Sequence, residues 1–74
     1  MLEEYREEIL NAVNELQVGD VVLLSDLVVG WDEVPRGRRT QLGQDFRNAV
    51  IGGEFPRLIN IGRNAENHQQ YERV

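Results

Sequence analysis

Seventy-four residues leave room for one small domain, and a chain of this size buries only about 60% of the surface its unfolded form exposes, so its core must be thin. At 41% hydrophobic and 28% charged residues the composition is that of a folded globular chain, and zero cysteines exclude a disulfide framework, thiol chemistry and Cys-based zinc sites. Thirteen acids against eight bases give a net charge of −5, which argues against a uniformly basic nucleic-acid binder and makes the distribution of charge the informative quantity.

Leu2, Tyr5, Ile9, Ala12, Val13 and Leu16 recur at spacings of three and four, the stripe of an amphipathic helix over roughly residues 2–16. Glu3, Glu4, Glu7 and Glu8 crowd its first two turns, where they complement the positive end of the helix dipole. Gly19 breaks the pattern, and Val21 to Leu24 reads as a short strand. Ser25 is placed to N-cap a brief helical turn through Asp26-Leu27-Val28-Val29, which Gly30 ends. Trp31 follows in a loop, and Val34, standing before Pro35, is pushed out of the helical region. A third helix then runs over roughly residues 36 to 52, with Leu42, Phe46, Ala49 and Val50 as its apolar stripe and Gly52-Gly53 as its stop. Arg57 to Ile61 and Gln69 to Val74 are two short extended runs, joined by the polar, turn-forming stretch Gly62 to His68 as a β-hairpin with an extended tip.

The expected architecture is therefore α+β. Helix, strand, helix, helix and hairpin follow one another as in a winged helix, with three helices and a three-stranded antiparallel sheet around one core spanning residues 1–74. The longest apolar run is Val21 to Leu24, far short of a membrane span, and the acids after Met1 are unlike a leader peptide, so a cytoplasmic, membrane-free protein is expected.

Charge is distributed unevenly along the chain. Residues 1–33 carry nine acids against Arg6, a net −8, whereas residues 34–74 carry four acids against seven Arg, a net +3. The absence of Lys matters because Arg grips phosphate bidentately and also stacks on bases. Arg36, Arg38 and Arg39 cluster at the start of the third helix, and Arg47 falls with positions 36, 40 and 43 on a side turned away from the Leu42-Phe46-Val50 stripe. Gln41, Gln44 and Asn48 also lie off that stripe. In a helix-turn-helix these residue types meet base edges and phosphates. Solvated surface charge, or pairing with Asp32 and Glu33, accounts for the same arginines, but the acids lie mostly elsewhere, which puts anion binding ahead. Asp45 on this helix would repel phosphate if it pointed outward.

At the hairpin tip, Arg63, Asn64, Asn67 and His68 are placed to reach a minor groove or sugar-phosphate backbone, although a polar turn needs Asn in its own right. Arg57 and Arg73 add peripheral charge. Tyr71 and Trp31 read as core residues in preference to stacking platforms. Gly43 inside the third helix costs about 1 kcal/mol relative to Ala, which the close approach of the first helix or of a ligand backbone would offset.

The segments Gly19-Asp20-Val21-Val22-Leu23, Ser25-Asp26-Leu27, Leu42-Gly43-Gln44-Asp45-Phe46 and Ile61-Gly62-Arg63 through Tyr71 resemble a domain-of-unknown-function family, number fourteen-thirteen, of small proteins from phages and mobile elements. The resemblance covers about residues 9 to 73. It implies a compact winged-helix-like domain with a DNA-related role, single-stranded-DNA binding included, in some relatives, and no enzymatic activity; the expected partner is DNA, single-stranded or duplex.

One histidine with neither cysteine nor lysine leaves little for nucleophilic or acid–base catalysis, and no phosphate loop, nucleophile elbow or EF-hand is present. No metal or cofactor is expected. Glu3/Glu7 and Glu4/Glu8 share helical faces, but a carboxylate pair alone is not a metal centre. Two readings of function follow. In the first, Arg36, Arg38, Arg39, Arg47 and the tip around Arg63 bind DNA. In the second, Glu3, Glu4, Glu7 and Glu8 make the first helix a docking surface for a basic protein partner, with a homodimer through that helix as a third arrangement.

Overall fold

The computed structural model describes residues 2–74, and it divides the first apolar stripe in two. Leu2–Glu4 form a 3-10 turn, closed by the Tyr5 N–H donating to the Leu2 carbonyl at 2.9 Å, and α1 spans Arg6–Glu15. The helix thus starts four residues later than the stripe suggests. The tighter 3-10 turn draws Leu2 into the core, while the Arg6 guanidinium reaches back to Glu3. Ile9 and Val13 supply the buried face of α1.

The first strand is shorter than its apolar run. β1 is Val21–Val22, and α2 covers Leu24–Leu27 with Leu23 as its cap. Asp26 causes the early turn, because its carboxylate accepts the Leu23 N–H at 2.8 Å and satisfies an otherwise orphaned donor. Ser25 consequently lies inside the helix and caps nothing. Leu24 and Leu27 enter the core, and the chain is extended again by Val28.

Trp31–Glu33 form a second 3-10 turn in place of the expected loop, and Pro35 caps α3, Arg36–Ile51. This helix ends one residue before the expected boundary. Gly53, at φ +87°, donates to the Val50 carbonyl, and the Glu54 N–H closes on the Ala49 carbonyl at 2.9 Å.

β2, Leu58–Arg63, and β3, Gln69–Arg73, make the hairpin. The sheet is antiparallel in the order β1-β3-β2, with Val22 and Asn60 flanking Tyr71 from either side. The architecture is α+β as expected. Helices cover one face of the sheet, and Phe46 of α3 stands between Tyr71 and Phe55 at ring-centroid distances of 4.7 and 5.2 Å. Leu42, Ala49 and Val50 complete the α3 contribution. Tyr71, at 1% exposure, is a core residue. Phe55, equally buried, joins the core from the connection after α3. Truncating Phe46 to Ala would cost about 3–5 kcal/mol, a large share of what so small a domain holds in reserve.

Candidate functional site

An open groove of about 570 Å³ runs between the solvent side of α3 and the hairpin. From α3 it takes Arg39, Thr40, Gly43, Gln44 and Arg47, whose spacing places them on one side of the helix. From the hairpin it takes Arg63, Asn67, His68, Gln69 and Tyr71. Leu23, Leu24, Ser25 and Trp31 close one end. Three arginines and a histidine therefore line the groove, with no Asp or Glu among its described lining residues.

The hairpin residues reach the groove through an irregularity in β2. Asn60 pairs with Tyr71 and Arg63 with Gln69, and residues directly opposite one another share a face of the sheet. Tyr71 and Gln69 are two apart and lie on one face. Asn60 and Arg63 are three apart, so a regular strand would send them to opposite faces. The register shift between Asn60 and Gly62, with Gly62 at φ +94°, inserts one extra residue and turns Arg63 onto the α3 side.

Each groove arginine has surroundings of a different kind. Arg63 donates to the Asn67 carboxamide oxygen at 2.9 Å, which orients the guanidinium without cancelling its charge. Asn67 sits at φ +69°, a backbone conformation that Asn tolerates better than most residues. Arg39 donates to the Trp31 carbonyl at 3.1 Å, and its guanidinium carbon lies 5.5 Å from the Trp31 ring centroid. The Arg39 Nε–H is buried without a partner, a cost of about 1–3 kcal/mol that its other contacts must offset. Arg47 lies near the buried Tyr71 phenol. Burial pushes that phenol above its ordinary pKa, and a hydrogen bond with Asn60 and the Arg47 charge offset part of the shift.

The sequence-derived candidates thus separate. Arg39, Gln44, Arg47, Arg63, Asn67 and His68 come together in the groove. Arg36, exposed and one turn before Thr40, continues the same row beyond the lining. Arg38 and Gln41 fall on the other flank of α3 with Asp45, which accepts the Gln41 amide at 2.8 Å, so that carboxylate is turned from the groove. Asn64 builds the tip: its side-chain oxygen accepts the Glu66 and His68 N–H groups at 2.9 and 3.0 Å. Arg57 is held on the far side by Asn14, and Arg73 donates to a main-chain oxygen of Val74.

Two expectations need correcting. Trp31 packs against the edge of the core but is only half-buried, and its other side lines the groove. Apart from its chain neighbours and the backbone of α3 itself, no described atom lies within 4 Å of where a Gly43 Cβ would stand, so the first helix does not approach there and the residue opens onto the groove. Thr40 and Gln69 join the groove from outside the sequence-derived candidates, as does Trp31, whose sequence context favours the core over a stacking platform. For Gln69 the alternation with Tyr71 along β3 is the available signal; for Trp31 only the tertiary placement of Arg39 beside it brings it to the groove.

The acidic candidates of the N-terminal segment are divided as well. Arg6 donates to Glu3 at 2.7 Å and to Glu54 at 2.8 Å, and these are the ion pairs among the described residues. The hydrogen bond from Arg6 holds the Glu3 carboxyl below its ordinary value. Glu8 accepts the Val29 N–H across from α1, whereas Glu4 and Glu7 are exposed. Arg36, Arg38 and Arg39 form no ion pair with Asp32 or Glu33 among the described residues. No cluster of His, Asp and Glu there is arranged to hold a metal ion, and no helix is long and apolar enough to cross a membrane.

A family model described as Domain of unknown function (DUF1413) matches residues 7–73, nearly the whole chain, and the protein belongs to that family. Neither a curated protein nor a solved structure matches it significantly.

Proposed function

We propose that this DUF1413 protein is a small, non-enzymatic nucleic-acid-binding domain of phage or mobile-element type, which engages DNA through the groove between α3 and the hairpin, with α3 and the tip used as the recognition helix and wing of a winged helix. One observation carries the reading. In a chain with thirteen acids and eight bases, the described lining of the large groove holds three arginines and no carboxylate. Such a concentration of one sign in a concave site focuses field on a polyanion and raises its association rate, whatever the net charge of the whole molecule.

The arginines are also suited to the task. Asn67 orients Arg63, and Trp31 supports Arg39, so less side-chain freedom is lost when a phosphate arrives. Gly43 leaves the middle of the α3 wall without a side chain, which lets a backbone come close. Ser25 and His68 both line the groove, yet no hydrogen bond joins them among the described residues, and a binding role accounts for both without a nucleophile. The competing reading, in which α1 captures a basic protein partner, has less behind it, since Glu3 and Glu8 are already engaged by Arg6 and by the Val29 N–H.

The test is an anisotropy titration of the full chain with single-stranded and duplex oligonucleotides across a salt series. Log affinity should fall linearly with log salt, at about 0.7 to 0.9 per phosphate neutralised. Arg47→Ala and Arg63→Ala should each weaken all sequences alike and reduce that slope by roughly one contact. Absence of binding, or binding indifferent to salt, would remove the reading.

A further inference from the structure

Within the groove, the end formed by Trp31 differs from the rest. Arg47, Arg63 and His68 present charge and hydrogen-bond donors, whereas Trp31 presents an aromatic ring with the Arg39 guanidinium carbon 5.5 Å from its centroid. Arg39 is fixed there by the Trp31 carbonyl at 3.1 Å and forms no ion pair among the described residues. Its Nε–H is buried and unpartnered, so hydrogen bonding alone does not select this position. What the position achieves is a cationic plane backed by an indole at the mouth of an anion-attracting groove.

We infer that this end is a stacking site for an unpaired nucleobase, with the phosphates of the same strand held further along by Arg47 and Arg63. The inference rests on the nucleic-acid reading and narrows it to strands with exposed base faces. A guanidinium is planar and stacks on a base as well as on an aromatic ring, and base faces are accessible only where neighbouring bases do not cover them. In a duplex both faces are covered and only edges are offered. The shared chemistry is an unstacked base on a phosphate chain, from either DNA or RNA.

The chain carries a single tryptophan, so its emission reports this site alone. The 74-residue chain is titrated with oligothymidylate, oligouridylate, the thymidylate annealed to its complement, and inorganic polyphosphate as a base-free polyanion. Both single strands are expected to quench Trp31, and to bind about ten-fold more tightly than duplex or polyphosphate at matched charge. Excess affinity for thymidylate or for uridylate identifies which strand the site takes, and either excess supports the assignment. Arg39→Lys keeps the charge and loses the plane. It should weaken single strands by about ten-fold while polyphosphate binding stays within about two-fold, with the fold checked by thermal melting. If polyphosphate and duplex bind as well as single strands and Trp31 is not quenched by bases, the stacking site is overturned and the anion-binding groove stands. If no polyanion binds, both are overturned.

Discussion

The first thirty-three residues and the rest of the chain use their charges in opposite ways. In the acidic part, carboxylates go to backbone donors: Asp20 accepts the Gln17 N–H at 2.9 Å, Asp26 that of Leu23 at 2.8 Å, and Glu8 that of Val29. Each holds a turn or joins two segments. In the arginine-bearing part, guanidinium groups go to neutral oxygens: Arg39 to the Trp31 carbonyl, Arg57 to Asn14 and Arg63 to Asn67. A neutral acceptor orients a guanidinium without cancelling its charge. Only Arg6, in the acidic part, is paired with carboxylates among the described residues. A molecule that is negative in sum can therefore present a positive groove, because several of its acids are occupied in local structure, none lines the groove among the described residues, and Arg39 and Arg63 are oriented there without being neutralised.

The strongest way to break this comparison is to reverse the groove. Arg47→Glu combined with Arg63→Glu should lower oligonucleotide affinity by roughly a hundred-fold or more, since two attractive phosphate contacts become repulsive. Both residues are exposed, so the melting temperature should scarcely move. Retained affinity in the double variant would place the binding surface elsewhere. A variant that changes no charge asks whether the space itself matters. Gly43→Leu puts a good helix former where, apart from its chain neighbours and the α3 backbone, no described atom lies within 4 Å of the Cβ position, so stability should hold or rise by about 1 kcal/mol. Binding should nevertheless fall about ten-fold, because the side chain fills the groove wall; unchanged binding would show that the ligand avoids it.

The next effect is smaller and falls on the acidic part. Asp26→Ala removes the acceptor of the Leu23 N–H and should cost about 1 kcal/mol in urea unfolding, with oligonucleotide affinity unchanged once the protein is folded. Loss of affinity without loss of stability would show that the two regions are not as separate as their hydrogen bonds suggest.

What could be read in advance follows the range over which each feature is determined. The stripes Ile9-Val13 and Leu42-Phe46-Val50 and the Gly52-Gly53 stop depend on neighbours within a few residues, and they are found where their spacing places them. The Asp26 cap is also local, yet Ser25 is a conventional capping residue one position earlier, and it obscured the point at which the strand ends. The groove depends on contacts between distant segments. That Gln44 faces the hairpin while Gln41 faces Asp45 is a difference of three positions on one helix, and nothing in the local pattern says which flank the hairpin will cover. The turning of Arg63 required the irregularity at Gly62, which the Ile-Gly-Arg run does not reveal on its own.

The smallest effect is the one that separates orientation from charge most finely. Glu4 and Glu7 are exposed and form no hydrogen bond or ion pair among the described residues, in contrast to Glu3 and Glu8. Neutralising them as Glu4→Gln and Glu7→Gln should leave stability within about 0.5 kcal/mol. If these two acids merely add a diffuse negative field, their loss should raise the association rate of an oligonucleotide by at most a few-fold at low salt, and the gain should fade as the Debye length shrinks to about 8 Å near physiological ionic strength. The dissociation rate should stay the same, because neither residue touches the groove. A changed dissociation rate would mean that the N-terminal segment carrying Glu4 and Glu7 contacts the bound strand, and the division between a structural acidic part and a binding cationic part would have to be redrawn.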